Sequence, residues 1–304
     1  MKLQQLRYFE AACRLHSISR AAESLHVSQP SVSIAIRELE CEFGVPLTVR
    51  QYQGFSLTKE GVFLKEMAES LLRHADNVQE KMQSLGHSRR PVHLGVPPMI
   101  GTLLLSPLYQ AIAHECPDLL LVTEEYGSKI LIRDLRGNML DLAVVTHESE
   151  LPPEFSVTPL ANIEIVWCAT QSHPLAGLTE ISTENLKDEP LVFFHKNFTT
   201  QESVVRQFKN AGITPRILHT TEQLSTVQSL IRSGIASGFL MRPLAEMMSN
   251  VATIPLRPSI SLCVSLIWKR SQKPFRDMTQ LIKLCQGCYQ MEQRTAKISF
   301  GSIF

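Results

Sequence analysis

Charge of one sign is what this 304-residue sequence lacks most: Lys and Arg number 30, Asp and Glu 29, and the formal net charge is +1. Composition therefore does not announce a nucleic-acid binder. Residues 1–60 hold seven Lys or Arg against six Glu, so any DNA contact must rest on where the basic groups sit. No apolar run approaches the roughly 18 residues that a membrane span needs. Lys2, Arg7, Glu10 and Arg14 break up the opening segment, so no signal peptide is read there and a cytoplasmic location follows. GxSxG, HExxH and nucleotide-binding P-loop patterns are absent, and the ten His are dispersed, which argues against an enzyme and calls for no cofactor. The seven Cys are scattered and odd in number, as expected of reduced, mostly buried thiols. Cys285 and Cys288 form a single CxxC with no second pair. With Leu281 and Leu284 at helical spacing, that reads as a packed helix face and not a metal site.

What is present fits a soluble protein of two domains: 44% of residues are apolar and 19% charged. The first 45 residues read as three short helices. Leu3, Leu6, Phe9 and Cys13 share a face of the first, and Ser19 is placed to cap a second that turns Ala21, Ala22 and Leu25 inward. A third begins after Ser28, with Pro30 in its first turn and an apolar stripe of Val32, Ala35, Ile36, Leu39 and Phe43. Leu47 and Val49, a polar turn at 51–54, and then Phe55 and Leu57 predict a two-stranded hairpin. Thr58 caps a long helix whose stripe is Leu64, Met67, Leu71, Ala75, Val78, Met82 and Leu85. Its average interval of about 3.5 residues is the coiled-coil period and reads as a seam for a second copy. Residues 86–91 break that helix. Beyond them apolar strands alternate with helices at 92–96, 119–123, 142–145, 163–169, 191–194, 217–219, 235–240 and 262–268, the pattern of an α/β domain with a mainly parallel sheet.

With its stripe buried, the third helix turns Gln29, Pro30, Ser33, Ile34 and Arg37 outward. Gln pairs with adenine, Arg with guanine, and Ser hydroxyls suit bases or phosphates. An ordinary solvated face accounts for the same residues equally well when they are taken alone. Their setting is more specific. The runs Leu6-Arg7-Tyr8-Phe9, Ser17 to Leu25, Val27 to Ser33, Ile36-Arg37-Glu38-Leu39-Glu40, Gly44-Val45-Pro46-Leu47 and Leu57 to Gly61 resemble the LysR-type transcriptional regulators over about 60 consecutive residues. The resemblance implies a winged helix-turn-helix with its recognition helix at about 28–40 and its wing at about 47–57. It implies DNA contacts from Ser28, Gln29, Pro30, Ser31, Ser33, Ile34 and Arg37, and from Arg50, Gln51 and Gln53 on the wing. Two positions depart from the pattern. Position 34 is Ile where the family often has a basic or polar residue, and the wing is less basic than usual. Both point to weaker phosphate attraction or, at Ile34, to contact with a thymine methyl.

The rest of the chain resembles the same family more loosely, through Leu94-Gly95-Val96, Cys116-Pro117-Asp118, Leu135-Arg136-Gly137, Leu140 to Val144, His173 to Ala176 and Gly234 to Leu240, with departures at Ala236 and Met241. The resemblance implies a periplasmic-binding-protein-like (type II) sensor of two α/β subdomains with a ligand cleft between them. Ligands of open α/β sheets bind beyond the carboxyl ends of strands. Those ends supply Pro98, Met99, Ile100, Gly101, Thr102 and Ser128, then Thr146, His147, His195, Thr199, Thr200 and Phe239. Gly101-Thr102 and Thr199-Thr200 are read as helix N-termini, which favour an anionic effector. Simple N-caps would explain each Thr by itself, and Phe239 fits a core position as well.

The fold expected is therefore an all-α winged helix-turn-helix over 1–58, its wing the short hairpin, then a dimerisation helix over 59–86 and a hinge at 87–91. An α/β sensor follows over 92–304, with one subdomain at 92–162 and 267–304 and the other at 163–266. The function expected is a transcription regulator that binds double-stranded DNA with dyad symmetry, takes a small-molecule effector and forms a homodimer or homotetramer. The alternative is a cytoplasmic α/β enzyme or solute-binding module with an added helical domain, for which residues 1–60 have no evident use.

Overall fold

The computed structural model describes residues 1–50, 55–84 and 90–300. It separates into two compact units, Met1–Arg90 and Pro91–Phe304.

The smaller unit packs α1 (Leu3–Leu15), α2 (Ile18–Ser24) and α3 (Gln29–Phe43) around Leu6, Phe9, Ala21, Val32, Ile36 and Leu39. Ser17, not Ser19, caps α2: its side chain accepts from the Arg20 N–H. Ser28 caps α3 by accepting from the Ser31 N–H, with Pro30 in the first turn. Leu3 and Phe43, placed on buried stripes by periodicity, are 51% and 41% exposed at the two ends of the helical unit's stripes. The hairpin of β1 (Thr48–Arg50) and β2 (Phe55–Leu57) is antiparallel, with Thr48 opposite Leu57.

Glu40 ties α3 to that hairpin. One carboxylate oxygen accepts from the Leu47 N–H at 2.9 Å, the Thr48 N–H at 3.1 Å and the Thr48 hydroxyl at 3.1 Å. Thr58 closes the other side: its hydroxyl donates to the Pro46 carbonyl and accepts from the Gly61 N–H, which starts α4 (Lys59–Ser84). A Cβ on Gly61 would stand 2.0 Å from the Leu47 carbonyl oxygen, so only glycine lets α4 lie this close. The apolar residues of α4 divide between two faces. Ala68 and Leu72 are buried and Leu64 packs on the same core, whereas Phe63, Met67, Leu71, Val78 and Met82 are exposed. The single stripe expected from spacing therefore mixed an inner face with an outer one, and its last member, Leu85, lies outside the described residues.

The larger unit is built on one eight-stranded sheet in the order β4-β3-β5-β10-β6-β9-β7-β8. One half runs β3 (Val92–Val96), α5 (Pro98–Glu115), β4 (Leu121–Glu125), α6 (Ser128–Arg136) and β5 (Leu142–His147), and its three strands are parallel. The other half runs β7 (Leu191–Phe194), α7 (Thr199–Asn210), β8 (Ile217–Thr221), α8 (Leu224–Arg232) and β9 (Ser237–Met241), again parallel, followed by the short α9 (Arg242–Glu246). Between the halves lie β6 (Phe155–Thr170) and β10 (Val251–Lys269), antiparallel to each other along their length. β10 also pairs antiparallel with β5, and β6 with β9. The sheet is thus mixed, not mainly parallel. The two crossing strands run far beyond the apolar stretches that marked them, because their outer ends are half-solvated. α10 (Arg276–Phe300) returns over the first half, burying Leu281, Leu284, Cys285 and Cys288.

Replacing Gly61 by Ala should destabilise the protein by about 1–3 kcal/mol, the usual cost of forcing extra atoms into a packed site. Chemical denaturation of the variant against the parent measures this; equal stability would mean that α4 does not lie against the Leu47 carbonyl as described.

Candidate DNA-reading face and ligand cleft

On α3, Ser28, Gln29, Pro30, Ser31, Ile34 and Arg37 are exposed and Ser33 is half-buried. The helix carries three carboxylates, and each is engaged elsewhere in the unit. Glu38 accepts from the Gln5 side chain at 2.6 Å, Glu40 holds the hairpin, and Glu42 accepts from the amino group of Met1 at 2.6 Å. Arg37 pairs with no other described residue. The outward face therefore presents an uncommitted guanidinium among small polar groups, with the negative charge of the helix drawn to its flanks. Charge placement, not charge count, gives the face its character. Gln51 and Gln53 lie outside the described residues, as does the Arg50 side chain.

In the larger unit, three helices begin at one small cavity. Pro97 and Met99 line it at the start of α5, Ser128 is the first residue of α6, and Thr199 and Thr200 open α7. Thr146 at the end of β5, Phe198 and Met241 complete it. Ser128, Thr146 and Thr200 are at least nine-tenths buried. The Ser128 hydroxyl accepts from the Thr146 N–H at 2.9 Å and lies 3.0 Å from the Thr146 hydroxyl. The Thr199 hydroxyl donates across the cleft to the Thr146 carbonyl at 2.9 Å. The Thr200 hydroxyl has no hydrogen-bond partner among the described residues. Each helix start carries roughly half a positive charge, and the cavity walls hold no ionised side chain to offset it.

The cleft is closed. The cavity has room for about 10 Å³ of water, close to a single molecule. Two ion pairs span its rim: Lys129 on α6 with Glu202 on α7, and Arg206 on α7 with Glu148 after β5. Both are largely exposed, so each contributes no more than about 1 kcal/mol. A Cβ on Gly127 would stand 2.3 Å from the Asn197 carbonyl oxygen, so glycine permits the approach of the two lips.

The other residues expected in the cleft sit elsewhere. α5 begins at Pro98, not at Gly101-Thr102. Thr102 is exposed one turn further on, and its hydroxyl donates to the Pro98 carbonyl at 3.0 Å. Ile100 is fully buried, and Gly101 packs against Val96 and Glu125. Pro98 does not reach the cavity. The His147 ring nitrogens are taken by the Ser149 carbonyl and the Ser265 hydroxyl, and His195 faces solvent. Phe239 is core, stacked on Phe193 with ring centroids 5.5 Å apart. Pro97, Phe198 and Met241 fall within the strand-end segments 97–102, 195–200 and 240–242 but were not singled out there, because an apolar residue at a strand end looks like core. The nearest signal was Met241, where the sequence departs from its family pattern.

Burial pushes the thiols of Cys13, Cys168 and Cys285 up to about 12, so they stay protonated and unreactive near neutrality. No thiol lines the cavity.

The geometry defines a class of protein: a winged helix-turn-helix unit with an exposed polar face on its third helix, joined to a two-lobed α/β unit with a cleft between its halves. Comparison with known proteins is consistent throughout. Residues 3–62 match the bacterial regulatory helix-turn-helix protein, lysR family, and residues 85–288 match the LysR substrate binding domain. The transcriptional regulator XapR of Escherichia coli is 26% identical over 275 residues, covering 89% of this chain and 92% of that protein. A hydrogen peroxide-inducible genes activator of Dickeya chrysanthemi is 27% identical over 244 residues, 80% and 79% of the two chains. The crystal structure of CbnR, a LysR family transcriptional regulator, superposes with a TM-score of 0.63 at 19% identity over 95% of this chain and 99% of that one. This chain belongs to the LysR family of transcriptional regulators. It is a DNA-binding regulator with an effector-binding domain rather than an enzyme, and its partners are DNA and a small-molecule effector. Among the described residues, no helix is long and apolar enough to cross a membrane.

Alkylation with iodoacetamide at pH 8 should modify the exposed Cys41 and Cys263 and spare Cys13, Cys168 and Cys285 until the protein unfolds. Peptide mass spectrometry reads the outcome. Fast labelling of Cys168 in the folded protein would show that its raised pKa and burial are misassigned.

Proposed function

We propose that α3 enters the major groove and reads bases through Gln29, Ser33 and Arg37. Ser28, Pro30, Ser31 and Ile34 lie at the same surface, and Arg50, Gln51 and Gln53 on the wing reach the backbone or minor groove. The observation that carries this reading is the commitment of all three α3 carboxylates to the protein, which leaves Arg37 free. Two copies joined along the outer face of α4 would present two such helices to a dyad-symmetric site, as a homodimer or within a homotetramer. The working division is 1–58 for DNA, 59–86 for pairing, 87–91 as hinge and 92–304 for sensing, with subdomains at 92–162 plus 267–304 and at 163–266. The site of action is the cytoplasm, where the DNA is.

The effector is a small anion bound in the cleft, and its support is the unpartnered Thr200 hydroxyl at the meeting of three helix N-termini. Because the closed cavity holds about one water, entry requires the lips to part and the two rim ion pairs to break. The effector then shifts the open–closed balance by its differential affinity for the two forms.

Gln29→Ala should cost about 1–3 kcal/mol on the selected site and relax base preference at one position, the loss expected of a bidentate base contact. Fluorescence anisotropy on sites selected from random duplexes measures it; unchanged affinity and preference would remove α3 from the groove.

For the seam, the double variant Leu71→Glu/Val78→Glu places unpaired charge where two copies would meet. Sedimentation should show monomers or aggregates, and an unchanged oligomer would overturn the pairing through α4.

A thermal-shift screen of small organic acids identifies the effector by mass action. Calorimetry should then find Thr200→Val weaker by about 1.5–3 kcal/mol, the value of a hydrogen bond to a charged group. Thr102→Val, outside the cavity, should bind normally. Normal binding by Thr200→Val would move the effector to another pocket.

A further inference from the structure

We infer that Ile34 reads the C5-methyl of a thymine in each half-site. The inference rests on the placement of α3 in the major groove. Ile34 is 50% exposed, a large branched apolar side chain in the middle of a polar face. At 3.6 residues per turn it lies between Pro30, one turn before, and Arg37, nearly one turn after, both exposed. Val32, Ala35, Ile36 and Leu39 take up the buried face, so no rotation of the helix would bury Ile34 as well.

Self-association does not account for it. Two exposed apolar residues of this unit, Phe43 and Phe63, lie in a groove that Val45, Leu47 and Leu64 also line. Nine residues separate Ile34 from Phe43, two and a half turns of helix, which points them to opposite sides of α3. The groove and the reading face are therefore different surfaces.

Among the four bases only thymine offers an apolar group on the major-groove edge, its C5-methyl. A branched aliphatic side chain makes no hydrogen bond, so it gains from a base only by covering that methyl and excluding water. Its neighbours leave it room to do so. Ser33 is small, Glu38 is held toward Gln5, and Arg37 is free to seek a guanine or a phosphate alongside.

Replacing thymine by deoxyuridine removes the methyl and nothing else. Sites are first selected from random duplexes with the full-length chain, and each thymine is then replaced singly. At one thymine per half-site the replacement should weaken binding about fourfold, the value of one buried methyl or methylene group. Ile34→Ala should bind the thymine and uracil duplexes equally at that position, and Ile34→Val should keep part of the difference. Because Ile34 is half exposed, these variants keep their fold, which a thermal melt verifies. If no thymine in the half-site responds, or if the response persists undiminished in Ile34→Ala, the assignment is overturned. Gln29→Ala separates the two ways of failing: loss of affinity there with no methyl response at Ile34 condemns Ile34 alone, while no effect of Gln29→Ala condemns the groove placement itself.

Discussion

The larger unit depends on the pairing of two long strands. β6 and β10 run antiparallel from Phe155 opposite Lys269 to Thr170 opposite Val251, and each parallel half of the sheet attaches to one flank of that pair. β5 hydrogen-bonds to the stretch of β10 around Ser265, and β9 to the stretch of β6 around Trp167. The two attachments lie at different levels along the pair, so the halves share a spine without sharing a helix layer.

That arrangement explains why the cleft is both built and breakable. Parallel βαβ units put helix N-termini at the carboxyl ends of their strands. Two such units facing each other across the β6–β10 pair bring the starts of α5, α6 and α7 to one point. What holds the lips together is modest by comparison: one hydroxyl bond from Thr199, two exposed ion pairs, and a close approach that Gly127 permits. A net hydrogen bond and two surface pairs sum to about 1–3 kcal/mol, within reach of a micromolar ligand's binding energy of about 8 kcal/mol.

The smaller unit solves a different problem, how a helix with three Glu and one Arg keeps its acidic groups apart from its basic one. It does so by direction. Alternate glutamates along the end of α3 fan out to Gln5, to the hairpin and to the Met1 amino group, and the one guanidinium stays on the open side. The Glu40 contacts also fix where the wing leaves the helix, so that charge placement and wing placement follow from the same carboxylate.

The sequence by itself determined the order and kind of the elements in both units. Local signals sufficed for α3, with Ser28 before it, Pro30 in its first turn and Gly44 after it, and for β3 and β7, whose short apolar runs coincide with the strands. The exposed face of α3 was legible for the same reason: a helix of known phase has a known outside. Tertiary structure alone decided what depends on neighbours distant in the chain. Periodicity could not divide the apolar residues of α4 between a core that exists and a surface that awaits a partner, since both attract the same residue types. It could not distinguish Ser17 from Ser19 as the cap, which is a matter of one hydrogen bond. Nor could it show that β6 and β10 are antiparallel to their neighbours, because apolar strands read alike in either direction. The cleft was the least legible part. Thr199 and Thr200 announced themselves as polar groups at a strand end, but Pro97, Phe198 and Met241 line the cavity through a meeting of segments about 40 to 140 residues apart, and no local pattern encodes that meeting.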